Sequence, residues 1–286
     1  MAKPRLLVLI VAYNAAKSIA AVTQRIPQRL ADLCEVEVLV IDDCSSDSTW
    51  EHSDALRREG LLPFPLHVLV NPENQGYGGN QKIGFHFAIE CGFDFVALVH
   101  GDGQYAPECL PELLEPLLSG EADAVFGSRM LTPGGALRGG MPLYKFLGNK
   151  ILTQIQNRLL RSQLSEFHSG YRLYSVAALQ RIPFELNADV FHFDTEIIVQ
   201  LLLAGCTIKE LPIPTYYGDE ICYVNGLRYA ADVLATTLKA RVQEIGLFYD
   251  RKFDCQPGNG QYVAKLDFDS PHRRALERVR AGARVL

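Results

Sequence analysis

The apolar positions of the chain fall into two periods. Leu6–Val11, Val36–Ile41, Leu66–Val70, Phe95–Val99 and Ala122–Phe126 are short β-rich runs that predict buried strands. Between them, Ser18–Leu33 spaces Ile19, Val22, Ile26 and Leu30 as one face of a helix. Asp47–Glu59 and Gly79–Cys91 also read as helices, stopped by Gly60 and Gly92, and Glu108–Ser119 is a fourth. Strands and helices in alternation predict an α/β fold whose mostly parallel sheet is covered on both faces.

The alternation ends after Phe126. Thr132–Gly140 holds four glycines and a proline and reads as a mobile loop or a junction. In Pro142–Leu160, Leu143, Leu147, Ile151, Ile155 and Leu159 form one stripe, and Lys145, Lys150, Arg158 and the following Arg161 supply positive charge. Two readings stay open, a core-packing helix with a solvated face or a helix resting on anionic lipid headgroups. A loop at Glu166–Arg172 leads to a helix at Asp194–Ala204, closed by Gly205. Ile208–Tyr216 reads as a strand that Pro212 and Pro214 confine to a sheet edge, and Gly226–Gly246 as a last long helix.

Composition narrows the classes. A net charge of -5 over 286 residues argues against a general nucleic-acid binder, which needs clustered Lys and Arg across a face. The longest apolar run, Leu6–Tyr13, is far short of the roughly 20 residues that cross a bilayer. Lys3 and Arg5 mimic the start of a signal peptide, but the run breaks at Asn14 and serves better as a first strand. Seven scattered cysteines without a C-x-x-C pair fit reduced thiols in a cytoplasmic compartment and give neither a zinc nor a disulfide framework.

Candidate chemistry lies where the strands end. Ligands of a parallel α/β sheet bind beyond the carboxyl ends of its strands, and Asp102, between Gly101 and Gly103, is there a candidate hard oxygen ligand for a metal-bound phosphate, an ordinary turn after a core strand being the alternative. Ala12-Tyr13-Asn14 follows the first strand and Asp42-Asp43-Cys44-Ser45-Ser46-Asp47 the second. There Asp42 is favoured for binding a base or ribose, and Asp43, Ser46 and Asp47 for structural roles such as helix capping. After the third strand, Asn74-Gln75-Gly76-Tyr77-Gly78-Gly79-Asn80-Gln81-Lys82 has glycines that let backbone N–H groups approach a phosphate, yet it matches neither the P-loop nor the dinucleotide pattern.

Together, V-A-Y-N, I-D-D-C-S-S-D-S-T, N-Q-G-Y-G-G-N, H-G-D-G-Q-Y-A-P-E, G-S-R at 127–129 and H-S-G-Y-R-L-Y at 168–174 resemble a family-2 glycosyltransferase of the GT-A fold. The resemblance covers roughly residues 5–246 and is nearest in style to dolichol-phosphate mannose synthases and bacterial polyprenyl-phosphate glycosyltransferases. It implies a UDP- or GDP-sugar donor, a divalent metal (Mg or Mn), and inverting transfer to a lipid phosphate or a glycan hydroxyl. Donor contacts would come from Val11, Ala12, Tyr13, Asn14, Asp42, Asn74, Gly76, Gly79, Lys82, Gly101 and Asp102. Asp102 matches the last Asp of the family's D-x-D, and Gln104 the Gln two residues on, both facing metal or diphosphate. His100 stands at the first Asp, and because imidazole suits Mn or Zn better than Mg, the metal's identity is left open. Ala15 replaces a Glu that often follows Y-N. Glu166 is the candidate base for a sugar hydroxyl. For a phosphate acceptor, which needs no strong base, Arg129 and Arg172 are the candidate ligands with Lys145 in support, and carboxylate pairing inside the fold is their alternative. His168 and His192 need no functional role, although His168 sits inside the acceptor loop.

Two rivals remain. A nucleotidyltransferase would carry a glycine-rich basic loop where this chain has Ala12-Tyr13-Asn14-Ala15, and a non-catalytic nucleotide-sugar-binding domain would bind without turnover. The glycosyltransferase domain is expected to span residues 1–248. Residues 249–286 would be a linker and a helical tail opened by Ser270-Pro271, whose Gly282-Ala283-Arg284-Val285-Leu286 ending resembles the run-in to a class I methyltransferase domain; an ordinary helical tail is the alternative. The expected location is cytoplasmic, with peripheral contact to anionic membrane on the lipid reading of residues 142–160.

Overall fold

The computed structural model describes residues 3–217 and 225–255, with 274, 277 and 278. Its strands are β1 (Arg5–Ala12), β2 (Glu35–Asp42), β3 (Leu66–Val70), β4 (Phe95–His100), β5 (Ala124–Ser128), β6 (Arg172–Ser175) and β7 (Ile208–Pro212). They form one sheet in the order β3-β2-β1-β4-β6-β5-β7, parallel except for β6, which runs antiparallel to both β4 and β5. The helices are α1 (Ile19–Gln24), α2 (Leu30–Leu33), α3 (Thr49–Glu59), α4 (Gly76–Glu90), α5 (Leu110–Leu118), α6 (Gly135–Arg138), α7 (Leu143–Leu160), α8 (Val176–Leu179), α9 (Phe193–Leu203) and α10 (Gly226–Glu244).

Alternation along β1 explains the two layers of core. Leu6, Val8 and Ile10 face Ile19, Val22, Leu110 and Leu113, while Leu7 and Leu9 face Phe85, Ala88 and Ile197 on the other side. Because both faces are covered, every one of these β1 residues is buried. The mostly parallel α/β sheet expected from the sequence is present, and Ile208–Pro212 is the edge strand that its prolines require. Gly60, in the left-handed conformation at φ 63°, ends α3 as anticipated.

Three expectations change. The helix expected over Ser18–Leu33 is two, because Pro27 has no N–H to continue the ladder. Strand β6, too short to stand out by periodicity, is inserted between β4 and β5. Residues 250–255, expected to begin a linker, pack on α9: Phe253 is buried, Lys252 pairs with Glu196 at 2.6 Å, and Gln200 donates to the Lys252 carbonyl at 3.0 Å. The methyltransferase-like ending lies outside the described residues.

Helix α7 is inside out relative to a core helix. Leu143, Leu147 and Ile151 of its stripe are 62%, 49% and 57% exposed, whereas the face turned inward is Asn149, Thr153 and Gln156, at 8%, 5% and 0%. The core-packing reading of that stripe is therefore overturned. Among the described residues no helix is long and apolar enough to cross a membrane.

Candidate active site

Strand order places the site. The chain goes from β1 to β2 on one side and later to β4 on the other, so a crevice opens at the carboxyl ends of β1 and β4. Register brings the ends level: Val11 pairs with His100, and Ala12 with Asp42. At the mouth, Tyr13 and Asp102 are exposed. Asp102 Oδ1 accepts the Gln104 N–H at 3.0 Å, which orients the carboxylate beyond the strand. Gly101 donates to the Val11 carbonyl at 2.9 Å, and a Cβ there would come within 3.1 Å of the Ala12 Cβ, so this glycine is needed for close packing. Asp42 is buried and accepts from the Ser45 N–H at 3.1 Å; burial raises its pKa, and the Ser45 hydrogen bonds oppose the rise. Asn14 Oδ1 accepts from Ser46 N at 2.9 Å and zips the first two loops together. Asp47, just ahead of the Ser48 N-cap, accepts from Thr49 N at 3.0 Å and so satisfies the first N–H of α3.

The third loop is filled from within. Asp43 accepts from Gln75 N at 2.8 Å, Gly76 N at 3.0 Å and Asn71 Nδ2 at 2.8 Å, so an internal carboxylate occupies the N-terminus of α4 that a phosphate was expected to take. Two residues further on, the Gly78 N–H donates to the Asp189 carbonyl at 2.7 Å. Gly76, at φ 80°, lies where a Cβ would meet that same carbonyl oxygen at 2.5 Å, and one on Gly79 would touch the Asp189 carboxylate at 3.4 Å. Lys82 pairs with Asp189 at 2.7 Å, and Asn74 donates to the Asp43 carbonyl at 3.1 Å. In this conformation Gly76, Gly79 and Lys82 pack α4 on residues 187–189, and Asn74 ties the third loop to Asp43.

The candidate acceptor residues form a buried polar layer. Glu166 Oε2 accepts from Arg129 N at 2.8 Å, and its Oε1 accepts from Arg129 Nε at 3.0 Å, from Arg129 Nη2 and from Asn149 Nδ2 at 2.7 Å. Burial alone would raise the Glu166 carboxyl, but the Arg129 charge and these donors outweigh it and hold the group below the usual carboxylate range. A carboxylate so engaged is a poor proton acceptor, and the geometry fits an anchor for Arg129 better than a base. Arg129 also donates to the His168 carbonyl at 3.0 Å and to Tyr217 Oη at 3.2 Å. Four of its five N–H groups are thus committed, and among the described residues one Nη1 hydrogen is left. Arg172 is more enclosed still, donating to the carbonyls of Phe167, Ser169 and Asp194 and lying 3.3 Å from the Asp194 carboxylate. It pins the 167–169 loop, so the carboxylate-pairing alternative describes both arginines, and Arg172, 1% exposed against 8% for Arg129, is the less able of the two to reach a ligand.

The model of glycosyl transferase family 2 matches residues 7–182. The chain belongs to this family. It is 30% identical over 220 residues to the undecaprenyl-phosphate mannosyltransferase of Micrococcus luteus, covering 76% of this chain and 85% of that one. It is 27% identical over 228 residues to the UDP-N-acetylglucosamine--dolichyl-phosphate N-acetylglucosaminyltransferase of Methanococcus voltae, 77% and 88% of the two chains. Among solved structures, glucosyl-3-phosphoglycerate synthase from Mycobacterium tuberculosis, crystallised with Mn2+, uridine diphosphate and phosphoglyceric acid, superposes with a TM-score of 0.63 over 86% of this chain and 80% of that one, at 18% identity. The GT-A fold is thereby shown, and the nucleotidyltransferase alternative falls.

As a family-2 glycosyltransferase the chain would use its strand-end residues for a metal-bound donor, and they fit one in part. Asp102 is exposed, on a rigid strand end, and chemically suited to a hard cation. His100 has its Nε2 in contact with Tyr77 Oη at 3.2 Å and its ring edge-on against Tyr77 and Tyr105, so in this conformation that nitrogen is committed within the fold; burial lowers its pKa and keeps the ring neutral. Among the described residues no three His, Cys, Asp or Glu side chains are arranged to hold a metal by themselves. A cation would therefore rest on Asp102, with Gln104 beside it and the donor's phosphate oxygens completing the shell. Sequence reasoning gave no role to Tyr77, which donates to Asp194 at 2.9 Å, or to Tyr105, which accepts from Gly170 N at 2.8 Å. The available signal was Asp194 and Glu196 inside a strongly apolar helix, since buried carboxylates demand partners.

Proposed function

We propose that this glycosyltransferase moves a sugar, with inversion, from a UDP- or GDP-sugar to a polyprenyl phosphate at a membrane surface. The observation that carries the choice of acceptor is the commitment of Glu166. A sugar hydroxyl needs a base to take its proton, and the one candidate base is held ionised by Arg129 and Asn149. A phosphate monoester, with a second pKa of about 6, brings its own negative charge and needs none. The names of the relatives from Micrococcus luteus and Methanococcus voltae support the same acceptor class.

In this reading Tyr13 and Asp42 line the base and ribose end of the donor, and Asp102 holds the diphosphate end at the crevice. A divalent cation, when bound, supplies neutralisation of the charge that grows on the leaving diphosphate. Arg129 offers its remaining Nη1 donor to the acceptor phosphate and orients one oxygen toward the anomeric carbon. The new bond joins that oxygen to the anomeric carbon, and the electron pair of the broken carbon–oxygen bond leaves with the nucleoside diphosphate. The exposed apolar face of α7, with Lys150, Arg158 and Arg161 at the surface, rests on anionic lipid and brings the headgroup of the acceptor to the site.

Vesicles of anionic lipid carrying polyprenyl phosphate, mixed with a panel of labelled UDP- and GDP-sugars and Mg or Mn, test this. The expected result is one labelled lipid-linked sugar of inverted configuration and co-flotation of the protein. Transfer to glycan hydroxyls with none to lipid phosphate would overturn it.

A further inference from the structure

Helix α7 does more than present an apolar face. Two of its residues, Lys145 and Asn149, stand one turn apart and point to the same side. Asn149 Nδ2 donates to Glu166 Oε1 at 2.7 Å, and its Oδ1 accepts from Thr153 Oγ1 at 3.2 Å, which fixes the amide with its N–H groups toward the carboxylate. Lys145 Nζ lies 5.3 Å from the centroid of the Tyr217 ring, and the Tyr217 hydroxyl accepts from Arg129 Nη1 at 3.2 Å. Among the described residues, Glu166 and Tyr217 are the two side chains that hold the Arg129 guanidinium, and its remaining partner is a backbone carbonyl. Both are therefore gripped from the one helix whose opposite face is apolar and exposed.

We infer that Asn149, supported by Lys145, is a positioning residue through which α7 sets Arg129 for the acceptor phosphate, so that the seating of α7 on lipid and the aim of Arg129 are linked. The inference rests on the acceptor reading above. Removing the Asn149 amide frees one lone pair of Glu166 Oε1 to draw the guanidinium deeper, away from the phosphate. Replacing it by Asp places a second carboxylate against Glu166, which repels while ionised and can donate a hydrogen bond once protonated.

The test is steady-state transfer to polyprenyl phosphate in anionic vesicles, with binding of UDP and GDP followed separately by calorimetry, for wild type, Asn149→Ala, Asn149→Asp and Lys145→Ala. Asn149→Ala is expected to raise the acceptor KM about tenfold, the size of one charge-assisted hydrogen bond, with kcat and nucleotide affinity within about twofold. Asn149→Asp should have an activity optimum shifted to lower pH, since protonation restores the donor; a merely structural role would not move the profile. Lys145→Ala, on a half-buried surface position, should raise the acceptor KM in the same direction and keeps the test open if an Asn149 variant fails to fold. Unchanged acceptor KM, or an Asn149→Asp profile identical to wild type, would overturn the inference. A wild type that never uses the lipid phosphate would instead defeat the acceptor reading on which it stands.

Discussion

The replacement Glu166→Gln separates an anchor from a base. Glu166 is 2% exposed, and its two oxygens receive four N–H groups, three of them from Arg129. An amide of the same size keeps one acceptor oxygen but turns an NH2 group toward a donor, either the Arg129 main-chain N–H or its guanidinium. The buried guanidinium also loses its counter-charge, and breaking such a pair from one side costs about 3–5 kcal/mol. At about 2–4 °C per kcal/mol for a chain of this size, the melting temperature should fall by roughly 6–20 °C. Urea unfolding followed by circular dichroism and by the fluorescence of Trp50, the single tryptophan, measures the loss directly. Adding Arg129→Met removes the stranded charge and should restore about half of the lost stability. If Glu166→Gln lost less than about 1 kcal/mol while kcat fell by more than about a hundredfold, Glu166 would be acting on a proton and the anchor argument would fail.

Asp102→Asn should abolish metal-dependent binding of UDP or GDP in calorimetry while leaving the melting temperature within a few degrees, because the side chain is exposed and, among the described residues, accepts the Gln104 N–H alone; retained binding would remove Asp102 from the metal site. Gly78→Ala drives a Cβ against the Ala188 carbonyl and to 2.8 Å from the Phe193 Cβ, and a loss of about 1–3 kcal/mol in denaturant unfolding is expected. Burial pushes the pKa of His168 down to about 4, opposed by Glu166. The unfolded chain, with a value near 6.5, then binds a proton that the folded ring refuses, so stability should fall as pH drops from about 6.5 to 4, by about 2–3 kcal/mol from this residue. His100 is lowered by burial as well and acts in the same direction. His168→Gln should flatten the slope of melting temperature against pH in that window, and an unchanged slope would count against it.

What the chain determines by itself is whatever depends on near neighbours. Apolar runs of period two and the glycines at 60, 92 and 205 mark strands and helix ends because backbone geometry repeats locally, and the family motifs at the strand ends are legible for the same reason. Even the break at Pro27 was open to reading, since it follows from one missing N–H. Partners distant in sequence were not. Asp43 and Asp47 read as structural, but that Asp43 fills the N-terminus of α4 depends on a loop 32 and 33 residues later, and that residues 187–193 close over Gly76 and Gly78 depends on a segment more than a hundred residues later. Arg129 and Glu166 look alike in sequence whether they face a ligand or each other, and only the approach of β5, the 165–170 loop and α7 decides that they pair. The stripe of α7 shows the limit most clearly. Periodicity reveals that one face is apolar, whereas the direction of that face is set where Asn149 and Thr153 turn inward, because Glu166 offers Asn149, and Asn149 offers Thr153, a hydrogen-bond partner that leucine could not use.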